Sequence, residues 1–394
     1  MTRRRSFLLG GLGAAAACAR AAETPVLRLW INGDKGYQGV ARIGERFTRE
    51  TGVAVQVEHP ENAVSKFEQA AAAGKGPDIW IWPHDRLGTY LASGLIRPVT
   101  PSRPTLDAID TQAWSAWQQQ GRTWGFPIAM EGVALLYNKA LVKQAPESWD
   151  EVLQLDRRLS PGGRHAIAWW TTEAYYSWSL FTAGGGYAFG RLPDGRYDPR
   201  DVGVGTAGAR RGLRALMQLV DAGAVARSSS YAEAESAMNE GRVAMSFNGP
   251  WAWGNLRASG IDFGVAPGPR IGGRPGGSFV GVLGAMVASG SHWPELAHEF
   301  IEEYLLSEEG LRAMDAHVPL GVPANKALYA ERAADPHIAG SMAAIRAGEL
   351  IPSLPEMSRF WSAMSAALQN IIQGREGVDE GLARAAARVR GGDA

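Results

Sequence analysis

The sequence predicts an α/β fold with a largely parallel sheet. Strand-like apolar runs alternate with segments of helical periodicity, the order that a sheet with crossover helices requires. At 394 residues the chain is long enough for about two or three folded units, each able to close its own core. The composition is 45% hydrophobic and 20% charged, with 40 Lys+Arg against 40 Asp+Glu, which is that of a globular protein.

Val26 to Ile31 has strand character and leads through Gly33 and Gly36 into a helix marked by Val40, Ile43 and Phe47. Val53 to Val57 alternates as a second strand. Phe67 to Ala73 continues a helix, and Pro77 to Ile81 resumes a strand. In such sheets ligands sit beyond the carboxyl ends of strands. Asn32-Gly33-Asp34-Lys35 and Trp82-Pro83-His84-Asp85-Arg86 are therefore expected as site loops. Leu213, Leu216, Met217 and Val220 mark one helix face, and Ala297, Phe300, Ile301, Tyr304 and Leu305 another. The Gly/Pro-rich stretch from Pro267 to Gly277 reads as a loop and Val280 to Ala288 as a buried strand. A last long helix carries Trp361, Met364, Leu368, Ile371 and Ile372.

Residues 1–22 have the pattern of an export signal: Arg3, Arg4 and Arg5, an apolar stretch from Phe7 to Ala17, and small residues around Ala19 to Ala22. Arg4-Arg5-Ser6-Phe7-Leu8 matches the twin-arginine type. An ordinary secretory signal would give the same compartment, the periplasm. Cys18 offers a point for lipid tethering, although the bulky aliphatic residue usual three places before it is absent. The lone cysteine excludes an intramolecular disulfide, and 7 His leave little material for a metal site. Without residues 1–22 the chain has 36 basic and 40 acidic side chains, a net charge of −4, which argues against nucleic acid.

The chain lacks a phosphate loop, a His-Glu-x-x-His zinc motif and a Gly-x-Ser-x-Gly elbow, and no cofactor is expected. Gly184-Gly185-Gly186 reads as a turn. What recurs among the 14 Trp is an aromatic beside a planar polar group: Trp82 with Asp85 and Arg86, Glu173 with Tyr175, Tyr176 and Trp178, Asn248 with Trp251 and Trp253. Sugars suit that mixture. A pyranose packs its C–H face on an aromatic plane and offers a rim of hydroxyls to carboxylate, guanidinium and amide groups.

A set of collinear words then sharpens the reading. They are Leu29-Trp30-Ile31-Asn32-Gly33-Asp34-Lys35-Gly36-Tyr37, Gly76-Pro77-Asp78-Ile79, His84-Asp85-Arg86, Tyr137-Asn138-Lys139, Asn248-Gly249-Pro250-Trp251-Ala252-Trp253 and Phe279-Val280-Gly281-Val282-Leu283. In these words the chain resembles the maltose/maltodextrin-binding proteins of bacterial ABC importers. The resemblance implies two α/β lobes, residues 23–129 with 286–333 and 134–279 with 334–394, hinged near 130–133 and 280–285. It implies a sugar site of Asn32, Asp34, Lys35, Trp82, Asp85, Arg86, Glu131, Glu173, Tyr175, Trp251 and Trp361. It further implies an α-glucoside ligand, a membrane permease as partner, a monomer, and no catalysis.

The chain departs from the family at Ser362 and Ser365, where a tyrosine and an arginine are usual, and at Pro83 and Ala174. A longer pocket, or water with a different ligand group, is expected near those serines. Local readings without a ligand also exist. Asp34 and Lys35 could cap the following helix, Asp85 and Arg86 could pair in a loop, Glu131 could be a solvated acid, and Trp361 could be core. Four carboxylates in a sugar cleft also leave a glycoside hydrolase in view, since hydrolysis needs a pair of them. A sensory binding protein would use the same cleft for a chemoreceptor.

Overall fold

The computed structural model describes residues 25–193 and 195–392. The twin-arginine segment and Cys18 lie outside the described residues. Among the described residues no helix is long and apolar enough to cross a membrane.

The larger sheet has seven strands in the described residues. Its order is Val322–Pro323, Phe126–Gly132, Phe279–Val287, Ile79–Pro83, Val26–Ile31, Ala54–Glu58, with Glu349–Leu350 pairing Phe279 and Val280. The strands expected from the sequence form its parallel part: Val26–Ile31 lies between Ala54–Glu58 and Ile79–Pro83, parallel to both. Phe279–Val287, buried at every position, then enters antiparallel to Ile79–Pro83 and to Phe126–Gly132, so the sheet is mixed. Because Val26–Ile31 and Ile79–Pro83 run the same way side by side, their carboxyl ends open onto one sheet edge.

The second sheet has the order Phe263–Ala266, Ala134–Asn138, Val243–Asn248, His165–Ile167. Its first three strands are antiparallel neighbours, and His165–Ile167 is parallel to Val243–Asn248. Alternate residues of Ala134–Asn138 serve different cores. Ala134 and Leu136 join the cluster that runs from the large sheet, whereas Leu135 packs with Trp169, Trp178 and Phe247. Only Val133 separates Phe126–Gly132 from Ala134–Asn138, so the chain passes from one sheet into the other almost without a loop.

Helices form where the sequence is amphipathic. Tyr37–Thr51 buries Val40, Ile43 and Phe47, and Ala207–Asp221 buries Leu213, Leu216, Leu219 and Val220. Two expectations are corrected. The stretch read as a loop from Pro267 to Gly277 contains a hairpin, Gly268–Ile271 with Arg274–Gly276, because Gly272 and Gly273 both adopt positive φ and make the two-residue turn that joins twisted strands. Trp82 and Pro83 are not loop residues: they complete the strand Ile79–Pro83 by pairing with Gly284 and Leu283. A further helix, Val378–Val389, follows the one that carries Trp361 and packs against it.

Candidate functional site

A cavity of about 330 Å³ opens between the two sheets. All eleven residues expected from the sequence line it, together with Tyr176, Pro83, Gly281 and Ile351. The volume is at the lower end for small-ligand sites.

The wall on the large-sheet side grows from the shared strand edge. Asn32, Asp34 and Lys35 follow Val26–Ile31 in a turn closed by Lys35 N–H to the Asn32 carbonyl at 3.1 Å. Neither Asp34 nor Lys35 caps the next helix, whose N-cap is Gly36 at φ 56° with no side-chain cap bond. Asp85 and Arg86 sit on the one-turn helix His84–Arg86. His84 fixes that turn. It is buried, its Nδ1 accepts from the Val282 N–H at 3.0 Å, and its Nε2 therefore carries the proton donated to the Ile351 carbonyl at 3.0 Å. Burial pushes His84 down to about 4, so the ring is neutral. Trp82 ends a stack in which its ring lies 5.2 Å from Trp80 at 5°, and Trp80 lies 4.8 Å from Phe67 at 9°.

Glu131 is not a solvated acid. It is 6% exposed on Phe126–Gly132, beside Gly281, and accepts from Lys35 Nζ at 2.6 Å. Burial opposes the charge of Lys35, and the carboxylates of Glu131 and Asp34 more than restore it, holding the ammonium above its usual range. Burial also pushes Glu131 up while Lys35 pulls it down; at this contact distance the pair is ionised.

The opposite wall comes from elements around the second sheet. Glu173 is the N-cap of the helix Ala174–Gly184, accepting a long bond from Tyr175 N–H at 3.5 Å, and burial pushes its carboxyl up. Trp251 stands in the turn after Val243–Asn248. Its ring folds back over Gly249, where a Cβ would come within 2.2 Å of the indole, so this close approach requires glycine. Tyr175 stacks near Trp251 at 6.4 Å and 27°, and Tyr176 stands edge-on to it at 6.4 Å and 86°. Trp361 meets Phe279 and Phe360 edge-on and also lines the cavity.

The charge pattern suits a neutral, hydroxyl-rich ligand. Asp85 and Arg86 do pair, at 3.4 Å, yet Asp85 Oδ1, Arg86 Nε and the Trp361 N–H are buried without hydrogen-bond partners among the described residues. Such atoms cost free energy until something meets them. Burial lifts Asp85 to about 6, against the pull of Arg86 and the Trp82 indole. Ser362 and Ser365 are not among the lining residues, and the exposed Ser362 hydroxyl donates to carbonyls of its own helix.

The aromatic words also contained core residues. Trp178 is fully buried and stacks on Phe279 at 4.2 Å, and Trp253 is 2% exposed against Phe263 and His337. Tyr176 was named in its word without a site role, and Ile351 carried no signal. Tyr176 could have been found from the helical register, since it adjoins Tyr175 in the first turn after the Glu173 cap.

A family model described as bacterial extracellular solute-binding protein matches residues 42–340. The chain belongs to that family. A galactooligosaccharide-binding protein of Bacillus subtilis (strain 168) is 28% identical over 381 residues, covering 93% of this chain and 89% of that protein. A maltotriose-binding protein of Pyrococcus abyssi (strain GE5 / Orsay) is 29% identical over 335 residues, 82% of this chain and 71% of that protein. A maltodextrin-binding protein of Bacillus subtilis (strain 168) is 26% identical over 399 residues, 94% and 91%. This solute-binding protein thus has relatives whose names are those of oligosaccharide binders.

Proposed function

We propose that the protein is exported and captures an α-glucoside of the maltose or maltodextrin type between two lobes, then hands it to the membrane permease of an ABC importer. The observation that carries the reading is the meeting of stacking planes with buried polar atoms that have no hydrogen-bond partner among the described residues: Trp82, Tyr175 and Trp251 with Asp85 Oδ1, Arg86 Nε and the Trp361 N–H. All eleven expected residues are taken as ligand contacts. The lobes are residues 23–129 with 286–333 and 134–279 with 334–394, hinged at 130–133 and 280–285. The direct passage from Phe126–Gly132 into Ala134–Asn138 supports the first hinge. The ligand would favour closure by touching both walls at once. Export by the twin-arginine route, a monomeric state and the absence of catalysis belong to the same proposal. Glu131 is committed to Lys35 and Glu173 to a helix cap, which favours a binding role for these carboxylates over hydrolysis.

Titration calorimetry of residues 23–394 tests this against maltose, maltotriose, longer maltodextrins, trehalose, sucrose, cellobiose and a galactooligosaccharide, with product analysis of each mixture. Saturable binding of an α-glucoside without turnover is expected. Binding restricted to the galactooligosaccharide would move the reading to another linkage, and turnover of any sugar would replace it with a hydrolase.

A further inference from the structure

Asparagine followed by glycine occurs twice in the sequence, at Asn32-Gly33 and Asn248-Gly249. Such a step is chemically labile. The backbone nitrogen after the asparagine can attack the side-chain carbonyl carbon, and a glycine there has no Cβ to hinder the approach. The fold treats the two steps differently. The turn at Asn32 is closed by Lys35 N–H to the Asn32 carbonyl at 3.1 Å, which leaves the Gly33 N–H, second in the turn, with no acceptor among the described residues. The Asn32 amide is likewise held by no hydrogen bond among the described residues; Asn32 lines the cavity half-buried, and Gly33 is exposed. Space around Gly33 is open: a Cβ would meet His59 Nδ1 at 3.6 Å and nothing else within 4 Å. At the other step the same atoms are enclosed. Asn248 is 5% exposed, the Gly249 N–H donates to Asn248 Oδ1 at 2.8 Å, and the Trp251 indole covers Gly249. That bond sets the amide oxygen, not its carbon, before the nitrogen, and close packing keeps out the water that hydrolysis needs.

We propose that Asn32 is a site of spontaneous modification in the cavity wall, where the folded protein converts its amide to an acid while Asn248 is protected. Hydroxide takes the Gly33 amide proton, the nitrogen bonds to the Asn32 side-chain carbon, and the bond from that carbon to the amide nitrogen breaks; ammonia leaves with a proton returned by water. Water then adds to one carbonyl of the succinimide ring and opens it to aspartate or, with the backbone rerouted through the side-chain carbon, to isoaspartate. Either product sets a carboxylate near Asp34 in a cavity that already holds Asp85, Glu131 and Glu173. Isoaspartate also adds a methylene to the backbone just ahead of Lys35, which moves its ammonium off Glu131 and Trp251. The resulting loss of sugar affinity rests on the sugar-binding reading above; the modification itself does not.

Peptide mapping by mass spectrometry tests it on the purified protein kept for several weeks at pH 8, folded and in urea. Conversion in the folded protein is expected to be about tenfold or more greater at Asn32 than at Asn248, and comparable at the two in urea. Equal conversion in the folded protein, an excess at Asn248, or none at Asn32 overturns the proposal. Gly33→Ala, whose Cβ fits without a positive φ, should keep Asn32 an amide and bind sugar as the fresh wild type does. If that variant does not fold, the comparison of folded and urea-unfolded wild type decides. Maltose calorimetry on fresh and aged wild type reads the consequence: the number of competent sites should fall with the fraction of Asn32 converted. An undiminished titration despite conversion overturns the effect on the site. Fresh wild type that binds no α-glucoside overturns the reading of function, and the mass measurement still decides the modification.

Discussion

Lys35 and Trp251 meet across the cavity, with the ammonium of one 4.4 Å from the centre of the indole ring of the other. The same nitrogen donates to Glu131 at 2.6 Å, so one cation joins an acid of the large sheet to an aromatic from the second. Removing Glu131 alone leaves a buried, uncompensated charge. Glu131→Ala is expected to lower stability by about 3–5 kcal/mol, and Lys35→Met with Glu131→Leu to recover most of it without recovering sugar binding. Urea melts and calorimetry on the same samples check both halves.

Asp85 predicts opposite trends for binding and stability. Its carboxyl titrates at about 6 when folded, against 3.8 as the ordinary value, because burial penalises the charge. A group raised on folding contributes stability that is present below the unfolded value and lost as pH rises through the folded one. Between pH 3.8 and about 6 that contribution fades, and Asp85→Asn, which cannot ionise, should be the more stable protein at pH 8 by up to about 3 kcal/mol. Sugar affinity should run the other way. An ionised carboxylate can accept from hydroxyls at both oxygens, so if Asp85 is a ligand contact as proposed, wild-type binding weakens as pH falls below about 6, while the weaker binding of Asp85→Asn stays flat. A flat wild-type profile would remove Asp85 from the ligand contacts.

His84 carries the reverse sign. Burial depresses it from 6.5 to about 4, so its contribution to stability is complete above pH 6.5 and is lost as pH falls through about 4. Protonation would oblige Nδ1 to give up the Val282 N–H. His84→Gln is expected to shift the acid-unfolding midpoint and to weaken binding by displacing Asp85 and Arg86, read by fluorescence-monitored acid titration beside calorimetry.

The tryptophans separate into two groups by where they pack. Trp82→Ala and Trp251→Ala are each expected to weaken sugar binding about tenfold or more with the fold retained. Trp178→Ala, at a fully buried position against Phe279, should cost about 3–5 kcal/mol of stability. Affinity within error of wild type for both of the first two variants would end the stacking assignment.

Much of this was legible before any coordinates. Alternation of strand and helix patterns located Val26–Ile31, the strand Ile79–Pro83 as far as Ile81 and the helices Tyr37–Thr51 and Ala63–Ala72 between them, and hence the shared edge that carries Asp34, Lys35, Asp85 and Arg86. The hairpin within Pro267–Gly277 was not legible, because glycine marks a turn without saying whether the flanking residues pair.

The sequence by itself determined residue chemistry and local periodicity: which stretches alternate, which turns can present a carboxylate, and that tryptophans stand beside planar polar groups. Tertiary packing alone decided which of those groups face one another. Trp178 and Tyr175 lie on one helix, and Trp253 and Trp251 in one short word, yet the first of each pair is core and the second lines the cavity. Periodicity gives the face on which a side chain emerges; whether another element covers that face depends on segments far away in the chain. For Glu131 the deciding partner, Lys35, is 96 residues away, and only the folding of both strands into one sheet makes that acid an ion pair instead of a solvated surface charge.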